Sequence, residues 1–339
     1  MISEKKKRRK RIVVYLLLLV FAIPGVSYIY SKNISKKSES INKSTLKHES
    51  AIDESVDSGK ESNVDYIQWY LEDSEGFNWH TNMLAWAMDD SKGKANIDIS
   101  YEDGMKSYSK KRDVKLAVID SKEEHGKRIY NIINDNTVDD SYKSICENCG
   151  IETFLVEIDY EKLDEERVLS AIKEAEKSGA SICVMAFATT IYSEKIKECM
   201  EKSEMLFVTP AGNDGVEISD FKVYPAMYNL DNVLVVGDER CDGKKSDLSN
   251  YSRNYVDLFA PGTDIACIDE EGMSYESGTS YACAIVAGIC AIVEAGSDIE
   301  YNNKELKNYI CSLCIVDSEL SEYAKYGRIN EIGDYLQSK

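Results

Sequence analysis

Five short apolar runs, at 114–119, 153–158, 181–186, 205–209 and 232–236, recur along the chain with helical patterns between them. This alternation constrains the fold more than any other feature. Each run suits a buried strand and is too short for a core helix. The intervening segments include a short helix at 129–133 and an amphipathic helix at 165–177. The latter sets Val168, Leu169, Ile172 and Ala175 on one face. A further helix is expected at 193–203. Strands alternating with helices predict an α/β fold: a mainly parallel central sheet with helices on both faces and right-handed crossovers. Residues 281–293 are apolar all round for about four turns, which reads as a buried helix. At that length it is too short to serve as a second membrane anchor.

The ends of the chain differ from this body. A basic block at 5–11 precedes a mostly apolar stretch at 12–30, broken at Pro24-Gly25. As a signal peptide, it offers Gly25 and Ser27 as small residues for cleavage. As a signal anchor, its 19 residues just suffice to span a bilayer, with the basic block held inside. Both readings set the body outside the cytoplasm, either on the cell membrane or secreted. Residues 31–64 are rich in Ser, Lys, Glu and Asn and read as a solvated linker or stalk. The globular part is expected over 65–339.

The formal net charge is −19. Residues 1–11 hold seven of the 41 basic residues and one of the 60 acidic ones, so the rest carries 34 against 59, or −25. Such a body excludes nucleic acid as a partner, because phosphate binding needs a basic face. The ten cysteines leave two readings open. A secreted chain can hold a few disulfides, including a local one at Cys146–Cys149. Cys183, Cys283 and Cys290, however, lie in apolar runs that suit buried free thiols. Cys146/Cys149 and Cys311/Cys314 have zinc half-site spacing, but no histidine follows either pair at ligand distance, so no metal is expected. No compact acidic cluster compels a calcium site, and no other cofactor is indicated.

Hydrolysis of a peptide through a serine needs a nucleophile, a base, a group to orient the base and donors for the oxyanion. The chain offers one candidate for each. Ser280 stands at the start of the apolar helix, where free N–H groups and the dipole favour a developing anion. The same position also suits an ordinary N-cap. Of three histidines, His48 lies in the linker and His80 in an irregular segment. His125, with Gly126, follows the first strand and opens the next helix. Asp120 directly follows the apolar run 114–119, at the strand end where open α/β sheets carry their sites. Asn213 lies in Pro210-Ala211-Gly212-Asn213-Asp214-Gly215, just past another strand.

In this order these motifs resemble the subtilisin-like (subtilase) family over roughly residues 65–332. Val118-Ile119-Asp120-Ser121 resembles the aspartate motif, His125-Gly126 the start of the histidine motif and 210–215 the asparagine motif. Ser277-Gly278-Thr279-Ser280 with Val286-Ala287-Gly288 resembles the serine motif. Tyr224-Pro225-Ala226, residues 259–265 and residues 326–330 match three further segments. The resemblance implies a three-layer subtilisin-like fold and an Asp120–His125–Ser280 triad with Asn213 as oxyanion donor. It also implies a substrate cleft lined by Ala186, Phe187, Ala188 and Gly212. Four departures stand out. Only four residues separate Asp120 from His125, although five steps still reach about 16 Å when extended. Lys122 replaces a glycine. Residues 185–189 replace Ser and Gly of the cleft, with Ala188 narrowing the first specificity pocket. Tyr281, Ala284 and Ile285 alter the serine motif.

Two functions follow. One is a serine endopeptidase of narrow specificity acting on a peptide or protein outside the cytoplasm, tethered through the N-terminal segment or secreted. The other is a pseudoprotease that keeps the fold as a binding or regulatory protein. A zinc-binding structural protein is the remote third.

Overall fold

A computed structural model describes residues 105–134, apart from Ser107, and 142–329. The targeting segment, the linker, His48 and His80 lie outside the described residues. One unit holds almost all of the described chain. A second contributes only Asp159–Leu163, a single turn in which the Asp159 side chain accepts from Glu161 N at 3.0 Å.

In chain order the main unit runs β1 (Lys115–Ser121), α1 (Glu124–Ile133), β2 (Glu152–Ile158), α2 (Glu165–Lys177), β3 (Ile182–Met185), α3 (Glu194–Lys202), β4 (Leu206–Pro210) and the short α4 (Ile218–Phe221). It continues with β5 (Val233–Glu239), β6 (Leu258–Pro261), β7 (Ile265–Asp269), β8 (Gly272–Glu276), α5 (Thr279–Gly296), α6 (Asn303–Ser312), β9 (Cys314–Ile315) and β10 (Arg328–Ile329). Eight strands form one sheet in the order β2-β1-β3-β4-β5-β6-β10-β9. Every pairing is parallel except β9 with β10. Strands β7 and β8 form a separate antiparallel hairpin.

Side-chain alternation fixes the layers. Leu116 and Val118 of β1, Ile182 and Val184 of β3, and Leu206 and Val208 of β4 share one core with α1 and α5. The alternate residues Ala117, Ile119, Cys183, Met185 and Phe207 are also buried, on the opposite face, and α2 packs on β1 and β2. A sheet covered on both faces requires apolar residues at every strand position, which explains the continuous runs. Asp120 falls in step with Leu116 and Val118, so it projects towards α1 and α5.

Helix α5 is long and apolar enough to cross a membrane by length and composition, yet it is buried against β3, β4, β5 and β6 as the core helix of the unit. Gly288 lets it pack closely, because a Cβ there would lie 2.4 Å from Ile145 Cγ2. All ten cysteines are free thiols. Cys146 Sγ donates to Gly288 O at 3.7 Å and Cys149 Sγ to Glu147 O at 3.4 Å, so the local disulfide that the sequence left open at that pair is not formed. Burial raises the Cys183, Cys283 and Cys290 thiols far above their ordinary range, as fits small core residues.

Candidate active site

Asp120 is fully buried near the carboxyl end of β1. Two residues, Lys122 and Glu123, turn the chain into α1, and His125 lies in the first turn of that helix. His125 Nδ1 is 3.0 Å from Asp120 Oδ1. The same oxygen accepts from Ser121 N at 2.6 Å. A carboxylate only accepts, so Nδ1 carries the hydrogen and Nε2 keeps the lone pair. The four-residue spacing thus suffices for contact. Gly126 makes this possible, since a Cβ there would stand 1.9 Å from Ser121 O. The helix start lies directly against the strand end, leaving no room for a side chain.

The imidazole is about one-third exposed. Burial pulls its pKa down. The Asp120 charge and hydrogen bond, together with Glu276, push it up against a smaller opposing effect of Arg128, and the net shift is upward from the ordinary histidine value. The Tyr281 ring packs beside it with centroids 5.8 Å apart. Tyr281, one of the departures in the serine motif, therefore forms a wall of the imidazole, and it stands next to Ser280 in sequence.

Ser280 is 8% exposed and occupies the second residue of α5. The N-cap is Gly278, so the ordinary capping role open to Ser280 in the sequence is not the one it takes. Gly278 has φ +151, and a Cβ on it would lie 3.2 Å from Asn213 Nδ2. Asn213 is held from its other end. Its Oδ1 accepts from Thr279 N and from Thr279 Oγ1, both at 2.9 Å, and Thr279 Oγ1 accepts from Gly212 N at 3.2 Å. With Oδ1 so occupied, Nδ2 is turned to the side kept open by Gly278. The described geometry therefore brings Asn213 to the start of α5 and His125 to Asp120, with the His125 ring against the residue after Ser280.

The cleft residues divide. Ala186 is buried and its side chain belongs to the α1/α5 core. Phe187 and Ala188 are half-buried. The segment after β3 is pinned just beyond them by Thr189 N donating to Tyr224 O at 2.9 Å and Tyr224 N to Thr189 O at 2.8 Å. Gly212 has φ +98 and lies against Asn250 Nδ2, where a Cβ would approach to 2.4 Å. Asn250, fully buried, braces the whole asparagine loop. Its Nδ2 donates to Ala211 O, and its Oδ1 accepts from Asp214 N and Val216 N. The sequence did not point to Asn250, nor to the contacts that Thr279 and Tyr281 make here, although both of these stand in the serine motif. Thr279 stood inside a quoted motif and is recognisable as the residue before the serine. Asn250 lies 37 residues from Asn213, with no local pattern to mark it.

Residues 34–319 match the subtilase family of peptidases. The thermophilic serine proteinase of Bacillus sp. (strain AK1) is 33% identical over 168 residues, which is 48% of this chain and 39% of that protein. The epidermin leader peptide-processing serine protease of Staphylococcus epidermidis is 27% identical over 157 residues, 40% of this chain and 32% of that protein. The chain thus aligns with well under half the length of either. Among solved structures, the prenylagaramide maturation protease PagA superimposes with a TM-score of 0.60 at 21% identity, over 70% of this chain and 97% of that one. The leader peptide-processing protease of Staphylococcus aureus superimposes with a TM-score of 0.60 at 17% identity, over 70% and 79%. The fold is subtilisin-like, and with the family match spanning most of its length the chain belongs to the subtilase family.

Proposed function

We propose that the chain is a serine endopeptidase in which Asp120 orients His125, His125 activates Ser280, and Asn213 stabilises the oxyanion. The observation that carries this reading is the 3.0 Å contact of His125 Nδ1 with Asp120 Oδ1 across a four-residue connection. In the first step Ser280 Oγ bonds to the scissile carbonyl carbon and its proton passes to His125 Nε2. The carbonyl oxygen becomes an oxyanion, which accepts hydrogen bonds from Asn213 Nδ2 and the Ser280 N–H at the helix start. Collapse breaks the C–N bond as His125 returns the proton to the leaving amine. Water then releases the acyl group by the same route. Gly212, the main chain of Ala186, and Phe187 and Ala188 line the substrate path. A peptide or protein substrate follows from the family, and the leader-processing and maturation proteases among its relatives favour a narrow cut in one peptide segment. The basic block and apolar stretch at 5–30 favour action outside the cytoplasm, tethered to the membrane or secreted.

The recast cleft, with the Ala186 side chain turned into the core, favours a second reading, an impaired protein that binds peptides without cutting them. One comparison separates the two. The full-length protein is incubated with a peptide mixture and cleavage is read by mass spectrometry, beside Ser280→Ala. Cleavage that falls by about 10⁴-fold or more in the variant is expected. Binding without cleavage, equal in both proteins, contradicts the proposal.

A further inference from the structure

The helix that carries His125 is tied by one of its edges to the hairpin that leads into Ser280. Arg128 lies one turn beyond His125 on α1. Its Nε donates to Asp269 Oδ2 and its Nη1 to Glu276 Oε1, each at 2.6 Å. Asp269 ends β7 with its side chain 1% exposed, Glu276 ends β8, and the Arg128 side chain is itself 17% exposed. Asn131 Nδ2 adds a bond to Ile268 O at 2.9 Å, and Lys127 Nζ one to Glu270 Oε1 at 2.7 Å. Glu276 is followed directly by Ser277-Gly278-Thr279-Ser280. A single guanidinium therefore links the element bearing the base to the segment bearing the nucleophile.

We propose that Arg128 is a positioning residue for the reaction, clamping α1 through Asp269 and Glu276 so that His125 is held in register with Ser280. This rests on the endopeptidase reading given above. The short Asp120–His125 connection is why a clamp is needed. Two turn residues join α1 to β1, and its apolar face shares the core with β1 and α5, but that packing is non-directional and leaves the polar edge of the helix to be fixed by other contacts. The rest of the helix takes its orientation from what it packs against, and a partly buried guanidinium bridging two carboxylates is the stiffest polar tie available. A displacement of about 1 Å at a reacting group costs about 100-fold in rate.

The clamp also sets the charge facing the imidazole. The groups acting on His125 are Asp120 from β1, Glu276 from β8, and Arg128 from its own helix, with the Tyr281 ring from α5 beside it. Glu276 favours the imidazolium and Arg128 disfavours it. Removing the two partners should therefore move the base in opposite directions. Protein damaged only in its fold would not behave so.

The test is the second-order rate of labelling by a fluorophosphonate, read across pH on full-length protein. In Arg128→Met the rate is expected to fall about 10–100-fold, with the midpoint of the acid limb moving to higher pH. In Glu276→Gln the rate falls too, but the midpoint moves to lower pH. Arg128→Lys, which keeps the charge but not the fork, should leave the midpoint near wild type and recover only part of the rate. It also supplies the answer if Arg128→Met does not fold. Lys127→Met, which breaks a neighbouring exposed pair, is expected within about twofold of wild type. Wild-type labelling matched by Arg128→Met in rate and midpoint overturns the clamp alone, as does a loss in both variants with neither midpoint moved. A wild-type protein that does not label overturns the endopeptidase reading, and the clamp with it.

Discussion

Thr279 does two things for Asn213. Its N–H and hydroxyl hold Oδ1, and its hydroxyl oxygen takes the Gly212 N–H, so amide and loop are fixed by one side chain. Removing the amide and removing its holder should therefore differ in size. Asn213→Ala is expected to lower kcat by about 10²–10³-fold with KM little changed, the loss typical of an oxyanion donor in enzymes of this kind. Thr279→Val keeps the shape and the backbone bond to Asn213 but removes two hydrogen bonds, the hydroxyl's own to Asn213 Oδ1 and the one it accepts from Gly212 N. It should cost about 5–30-fold in kcat, the equivalent of two neutral bonds. Steady-state kinetics on one peptide substrate measures both. A Thr279→Val loss as large as that of Asn213→Ala would mean that the threonine does more than orient. At this scale the candidates Asp120, His125, Asn213 and Ser280 were legible because each follows a strand or opens a helix within a short motif. Thr279 and Asn250 were less so, because their roles arise from contacts 66 and about 36 residues away in sequence, which no local pattern encodes.

Helix α1 begins at Glu124, earlier than the apolar residues of 129–133 suggested, because its first turn is polar and takes its place from the end of β1. Gly126 is the point of contact. Gly126→Ala forces a Cβ onto Ser121 O and must push the helix outward. A loss of about 1–3 kcal/mol in stability is expected from such overpacking, and His125 should move with it. Thermal unfolding and fluorophosphonate labelling of the same sample check this. Labelling should fall more than the folded fraction does. If the two fall together, the helix start is not what sets the histidine. Strand β5 shows another limit of pattern. It runs on through Asp238 and Glu239, both fully buried, where an apolar run had ended at 236. Burial pushes Asp238 up to about 7, and Glu239 up to about 8 against the pull of Arg328. Charged residues in a strand end conceal it from any reading of apolar runs. Strands β6, β9 and β10 were hidden by brevity and the β7–β8 hairpin by its mixed composition. Helix α6 carried a readable signal in its capping box, Asn302 with Glu305.

Across the whole molecule, the alternation of strands and helices gave the parallel sheet, and the carboxyl ends of β1, β3 and β4 gave the neighbourhood of the site. What it left out is the way distant parts brace one another: Asn250 beneath the asparagine loop, and the hairpin against α1. These are tertiary contacts between segments each unremarkable alone. Mass-spectrometric mapping of a fluorophosphonate adduct on the full-length protein tests whether Ser280 is the nucleophile. Attack by Ser280 Oγ on phosphorus releases fluoride and leaves one phosphonyl group on one residue. Because the His125 pKa is raised, labelling should increase as pH rises through a midpoint above the ordinary histidine value. A single adduct is expected on the peptide containing Ser280, absent in Ser280→Ala. No adduct, or one located elsewhere and retained in that variant, would contradict it.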